Sequence, residues 1–305
     1  MNLNMNFLKY ILFYFIILSV KVIGQDNSLN TNSLEWRNIG PANMMGRIAA
    51  IDASNTDYRK VLIASASGGV FKSNNAGVTW ESIFDFYGAG SIGSVKFDQQ
   101  NLNTIWVGTG ESANRNSSAW GDGIYKSIDG GKSFKNMGLK STHQIAEIAI
   151  HPKNSNIVYA AAVGHLWGYS GDRGLFKTTD GGKSWTKVLG GLPNDKKTGC
   201  TEIVFHPKNP DIMYAGFYHR LRQPASFVSG GEQGGLFKSV DGGKTWKKII
   251  KGLAKGKSGM IDVSIHQNNP KIIAMAYEAD ENLPESEPGT GVYISYDEGE
   301  SWNFL

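Results

Sequence analysis

The sequence predicts an all-β fold: a β-propeller of four-stranded antiparallel blades, five of them visible. Three observations carry this. One turn sequence recurs five times (SNNAGVTW from Ser73, SIDGGKSF from Ser127, TTDGGKSW from Thr178, SVDGGKTW from Ser239, SYDEGESW from Ser295). Its third position falls at Asn75, Asp129, Asp180, Asp241 and Asp297, with separations of 54, 51, 61 and 56 residues, the length of one propeller blade. Between the turns lie short β-branched or aromatic runs separated by Gly, Pro, Asn and Asp, with no helical period.

The chain opens with Lys9, an apolar run from Tyr10 to Val20 and modest side chains before Gln25, the order of an export signal over residues 1–24. That run is shorter than the roughly twenty residues a membrane span needs. The mature protein is therefore expected to be exported without membrane insertion, to periplasm, cell surface or medium. A linker over 25–33 leads to Leu34–Ile39, which reads like an outer strand with no inner strands before it. The strand pattern then gives blades at about 47–84, 91–139, 144–190, 199–253 and 259–305. Six outer strands against five inner sets leave two readings: a partial propeller whose missing blades come from a longer chain or a partner, or a closed five-bladed ring.

Within each turn the Asp or Asn can accept backbone N–H groups of its own loop, and the following glycines permit positive φ. The closing aromatics (Trp80, Phe134, Trp185, Trp246, Trp302) offer large apolar surfaces to the gap between blades. All ten residues are assigned structural roles. So are His151, His206 and His266, which end inner strands at equivalent positions, and Cys200, whose place in a strand predicts a buried thiol. The lysines that recur with the repeat (Lys126, Lys132, Lys177, Lys183, Lys238, Lys244) read as a solvated outer face.

The chain has 31 basic and 27 acidic residues, a net charge of +4, which falls to +2 once residues 1–24 are removed. Nothing in that balance calls for nucleic acid or an anionic membrane. A single cysteine allows no intrachain disulfide. No metal-ligand spacing and no complete glycine-rich dinucleotide motif is present, so no cofactor is expected.

Antiparallel blades put the five turns on one face and the irregular loops on the other. The irregular loops carry Glu111, Arg115, Trp120 and Asp122 (blade two), His165, Trp167, Asp172 and Arg173 (blade three), His219, Arg220 and Arg222 (blade four), and the acidic run Glu278–Glu287 (blade five). Arg115, Trp120, His165, Trp167, Arg173, His219, Arg220 and Arg222 are the expected ligand contacts. Glu111, Asp122 and Asp172 are the candidates for acid–base work, with no catalytic residue assigned.

The turn pattern resembles the Asp-box, or bacterial neuraminidase repeat. The stretches IGPANMMGRI (Ile39–Ile48), GTGESANRNSSAWGDGIYKS (Gly108–Ser127) and GDRGLFKTTDGGKSW (Gly171–Trp185) are similar to a group of exported bacterial propellers described as sortilin-like or as glycosyl hydrolases. The resemblance spans Leu34 to Leu305 and implies further blades. It also implies that a xyloglucanase-type catalytic Asp would stand at position 66, which here is Ala66. Glycoside hydrolysis normally needs two carboxyl groups, so this departure argues against that mechanism. Three functions remain: a propeller binding an extracellular glycan or polypeptide through the irregular face, a glycoside hydrolase using rim carboxylates, and a structural subunit of a surface assembly.

Overall fold

The structure is a computed structural model that describes residues 47–305. The export signal, the linker and the Leu34–Ile39 strand expected from the sequence lie outside the described residues. The described chain forms five antiparallel sheets. Blade one contains β1 (Ile48–Ala53), β2 (Val61–Ser65), β3 (Val70–Ser73) and β4 (Glu81–Ser82). Blade two contains β5 (Ile92–Phe97), β6 (Ile105–Thr109), β7 (Ile124–Ser127) and β8 (Lys135–Asn136). Blade three contains β9 (Ile145–Ile150), β10 (Val158–Ala162), β11 (Gly174–Thr178) and β12 (Thr186–Lys187).

Blade four contains β13 (Thr198–Phe205), β14 (Met213–Arg222), β15 (Phe227–Ser229), β16 (Gly235–Ser239) and β17 (Lys247–Lys248). Blade five contains β18 (Ser258–Ile265), β19 (Ile273–Ala279), β20 (Gly291–Ser295) and β21 (Asn303–Phe304). Two features depart from the sequence reading. Strand β15 is an extra hairpin arm on a lengthened β14. Among the described residues a 3₁₀ turn, Lys140–Thr142, interrupts the all-strand pattern.

The inner strands pack in sequence, β1 on β5, β5 on β9, β9 on β13 and β13 on β18. The apolar core is divided accordingly into clusters that lie between neighbouring blades. Tyr159 of blade three, for example, packs with Met213, Phe217 and Trp246 of blade four. A large aromatic at the end of each turn thus fills the wedge where two twisted sheets diverge. Trp246 and Trp302 are 6% and 3% exposed. Trp80, with no preceding blade among the described residues, is 39% exposed, and Ile51 on β1 is 66% exposed.

The repeated turns are built from their own side chains. In blade three, Thr178 Oγ1 accepts the N–H groups of Asp180 (3.3 Å) and Gly182 (2.9 Å) and donates to Asp180 Oδ1 (2.7 Å). Asp180 then accepts Ser184 N–H (3.0 Å) and Ser184 Oγ–H (2.6 Å). The same set recurs around Asp129, Asp241 and Asp297. These hydrogen bonds hold the carboxyls of Asp129, Asp180 and Asp241 well below the usual range. In blade one Asn75 does the same work, accepting Thr79 N–H and donating to Thr79 Oγ1. In the three turns with two glycines, the second lies against the preceding blade: a Cβ on Gly182 (φ 96°) would stand 2.7 Å from Cη2 of Trp106 in blade two.

The recurring lysines correct a sequence expectation. Lys132, Lys183 and Lys244 are exposed, but the others reach into the following blade. Lys126 Nζ donates to Gly181 O (3.2 Å), Lys177 to Gly242 O (3.4 Å) and Lys238 to Glu298 O (2.8 Å). Lys72 does the same with Gly130 O (2.8 Å). Each ammonium neutralises carbonyl dipoles at the next turn, so these side chains connect blades. In blade five the equivalent position is Ile294.

The repeat histidines also have a definite task. His206 Nδ1 accepts Lys208 N–H and Asn209 N–H, His266 repeats both bonds, and His151 Nδ1 accepts Lys153 N–H. Each imidazole closes the turn between the first and second strands. Cys200 is fully buried, and burial raises its pKa well above that of a free thiol.

Candidate functional site

The irregular face is ordered by two buried arginines. Arg220, on β14, is fully buried and gathers three blades: Nη1 donates to Ser112 O of blade two (2.5 Å), and Nη2 to Gln144 Oε1 and Gly164 O of blade three. Arg173 is also fully buried and donates to the carbonyls of Lys197, His165 and Gly168. Neither has a carboxylate partner among the described residues. Both were expected as direct ligand contacts. Instead they pin the loops on which exposed residues stand. Burial lowers the pKa of Arg220 to about 9 and that of Arg173 to about 10, so both stay charged at neutral pH.

The blade-two loop crosses over blade three. Asn114 Nδ2 donates to Tyr218 OH of blade four (2.8 Å), which hydrogen-bonds Ser229 Oγ (3.1 Å), which in turn donates to Glu278 Oε1 of blade five (2.7 Å). Where the loop passes blade three, Gly121 N–H donates to His143 O (2.6 Å). Leu139 and His143 flank the 3₁₀ turn with φ of 57° and 59°. A left-handed backbone at such residues costs on the order of 1 kcal/mol, a strain stabilised here by the loops packed against it.

On this base stands a row of aromatic groups. The His143 and His165 rings stack at 3.5 Å between centroids and 19° between planes, with Trp120 5.5 Å from His143. His165 Nε2 donates to Ser141 O (3.1 Å). Burial and the neighbouring His165 depress the His143 pKa, so it is neutral at physiological pH. Tyr169 OH is hydrogen-bonded to His219 Nε2 (2.9 Å). Trp120 is 67% exposed, Trp167 47% and Tyr169 43%. Arg115 is exposed at the loop tip, and Arg222 lies over the Phe227 ring, 5.2 Å away.

The acid–base candidates are occupied or unpaired with one another. Glu111 is 3% exposed and receives Arg47 in a bidentate pair, with its own N–H on Ser91 Oγ. That locks it as an anchor between the start of blade one and the blade-two loop. Asp122 accepts Tyr125 OH (2.6 Å). Asp172 shares no hydrogen bond with Glu111 or Asp122. Ala66 is buried, and its N–H donates to Arg47 O (3.0 Å).

A second cluster lies in the central channel and was missed in the sequence. Glu147, Glu202 and Asp262 share one register on three consecutive inner strands, each four residues before a repeat histidine. That spacing was the available signal. Lys96 Nζ pairs with Glu147 Oε1 (2.6 Å), and Asp52 accepts Phe97 N–H (2.7 Å). Asp52, Lys96 and Glu147 line a cavity of about 550 Å³ that opens toward the turn face. Burial raises the carboxyl pKa values of Glu202 and Glu147. At Glu202 the neighbouring carboxylates add to the shift, while at Glu147 the Lys96 ammonium opposes it.

The family model for Sortilin-Vps10, described as sortilin, neurotensin receptor 3, matches residues 122–286, more than half of the chain. The chain belongs to the Sortilin-Vps10 family. This Sortilin-Vps10 chain is 25% identical over 235 residues to a xyloglucanase from a Paenibacillus species, covering 68% of the chain and 21% of that enzyme. It is 23% identical over 211 residues to the oligoxyloglucan-reducing end-specific xyloglucanase of Emericella nidulans, covering 67% of the chain and 24% of the enzyme. The chain thus spans about a fifth of the length of these curated relatives.

Among solved structures, an ancestral GH74 enzyme superposes with a TM-score of 0.62 at 21% identity, covering 85% of this chain and 31% of that one. The GH74 xyloglucanase of Xanthomonas campestris gives 0.52 at 14% identity, covering 85% and 45%. The Sortilin-Vps10 chain is therefore a β-propeller like these hydrolases in fold.

Proposed function

We propose that this protein is an exported propeller that binds an extracellular glycan across the aromatic rim of blades two to four. The observation that carries the reading is the row of exposed Trp120, Trp167 and Tyr169 over a base fixed by Arg173 and Arg220. Flat apolar rings held rigidly with polar groups between them suit the faces of sugar rings, and pre-organised loops lose little entropy on binding. Similarity to xyloglucanases favours a saccharide over a polypeptide. The rim residues act as stacking surfaces, and His219, His165 and Arg115 supply hydrogen bonds beside them.

Hydrolysis is the less favoured reading. Glu111 is consumed by Arg47, Ala66 offers no carboxyl, and Asp122 accepts the Tyr125 hydroxyl. Titration calorimetry against a panel of plant and bacterial oligosaccharides, with product analysis after long incubation, tests both readings. Binding without product supports the proposal, and Trp120→Ala should then weaken affinity at least about tenfold with an unchanged melting temperature. Product formation that Asp122→Asn abolishes would replace it with the hydrolase reading.

A further inference from the structure

A buried cation usually has a carboxylate beside it, because its desolvation costs several kcal/mol. Arg173 and Arg220 break that rule together. Both are fully buried, both donate only to neutral oxygens, and the Nε–H of each is buried without an acceptor. Their hydrogen bonds explain how the loops are held. They leave the charge of Arg220 with no carboxylate beside it, and that of Arg173 offset only in part by Asp195, which does not hydrogen-bond it.

The charge reaches the surface there. The Arg173 guanidinium carbon lies 5.8 Å from the centroid of the exposed Tyr169 ring, and Lys197 Nζ lies 5.6 Å from the same ring. Arg222 adds a third cation at the blade-four end. Asp195 is the carboxylate whose charge bears on Arg173; its oxygens accept Lys197 N–H, Thr198 N–H and Thr198 Oγ–H at 2.8–2.9 Å, which keep it ionised, so it offsets one of the four cations Arg173, Arg220, Lys197 and Arg222. Glu111 is neutralised by Arg47, and Asp172 bears on His143 and Lys187 rather than on either buried arginine. Charges set in a low-dielectric base are screened less than surface ions and project an attractive field onto whatever stacks above.

We infer that the rim takes an acidic glycan, one whose sugars carry uronic-acid carboxylates, with Arg173 and Arg220 selecting the charge from below and Lys197 meeting it at the surface. This rests on the glycan-binding reading above. A neutral sugar would gain the stacking and nothing from the uncancelled charge. A carboxylate about 10 Å from one such guanidinium gains on the order of tenfold in affinity at low salt.

The test compares a galacturonan oligosaccharide with its fully methyl-esterified form, which keeps the sugar and removes the charge, by calorimetry on the full chain. A neutral xyloglucan oligosaccharide and a poly-glutamate peptide run beside them. The free acid should bind about tenfold more tightly than the ester at low salt, and the gap should close toward about 0.5 M salt. Lys197→Ala changes an exposed side chain and leaves its backbone bond to Arg173 intact. It should weaken the acid several-fold and leave the ester unchanged.

Equal binding of acid and ester, or binding of the xyloglucan oligosaccharide alone, would overturn the inference and leave the glycan reading standing. Poly-glutamate binding as tightly as the acid would overturn it in favour of an acidic polypeptide. Binding of none of the four would remove both readings.

Discussion

Thr178→Val isolates the hydroxyl that organises the third turn. Valine keeps the volume of threonine, so no cavity opens in a site where Thr178 is 1% exposed. The loss is confined to three hydrogen bonds, two accepted from Asp180 N–H and Gly182 N–H and one donated to Asp180 Oδ1. Gly182 N–H is buried, and its 2.9 Å partner would be replaced by a methyl group. An orphaned buried donor costs about 1–3 kcal/mol, and the two other lost bonds about 0.5 kcal/mol each, so the variant should lose about 2–4 kcal/mol. For a domain of this size that is a fall of roughly 5–10 °C in melting temperature.

Urea unfolding followed by tryptophan fluorescence reads the change locally, since Trp185 packs edge-on to Trp106 at 6.2 Å beside this turn. Ser184→Ala is the control: it removes a hydrogen bond of similar length, 2.6 Å, at an exposed position and should cost no more than about 0.5 kcal/mol. If Thr178→Val costs no more than Ser184→Ala, the hydroxyl does not organise the turn and the structural assignment of the repeat fails.

Gly182→Ala should destabilise by about 2–3 kcal/mol in the same unfolding assay, because its Cβ would meet the Trp106 ring at 2.7 Å from a backbone with positive φ. Glu202→Gln should stabilise the fold at neutral pH. The Glu202 carboxyl is raised, so the folded state holds its proton more tightly than the unfolded chain does. The associated stability is present below the ordinary carboxylate pKa and is lost as pH rises toward the folded value. The melting-temperature advantage of the variant should therefore grow between about pH 4 and pH 7, and a constant difference across that range would count against the buried-carboxylate account.

The fold was legible because its signal is local and repeated. A hydroxyl, an Asp or Asn and one or two glycines in eight residues describe a turn that closes on itself, and five such turns at blade spacing leave little choice of architecture. The aromatic rim was legible in part: Trp120 and Trp167 lie on loops that break the repeat, and the structure leaves both exposed. What sequence position could not reveal was burial. Arg173 and Arg220 look like any rim arginines until Arg173 is seen enclosed by the carbonyls of His165, Gly168 and Lys197, and Arg220 held under the blade-two loop at Ser112. Glu111 looks like a candidate acid until Arg47, 64 residues earlier, is brought beside it. The channel carboxylates were visible as a spacing, four residues before each repeat histidine, but which face of a short strand looks inward depends on bulges in β5, β13 and β18.

The lysines that reach forward change what should be regarded as the unit of duplication. Lys72, Lys126, Lys177 and Lys238 each complete a turn belonging to the next blade. A blade excised at its strand boundaries would leave behind a carbonyl that its own ammonium had satisfied, and would carry away an ammonium with nothing to hold. The segment that can be copied or transplanted without such loose ends runs from one turn to the next, so that lysine and recipient travel together. Ile294 marks where this inheritance stops, because a neighbour on that side meets a branched hydrocarbon where four earlier junctions offer a charge. Giving blade five the same forward junction would therefore begin with Ile294→Lys and a facing turn whose carbonyl can receive it.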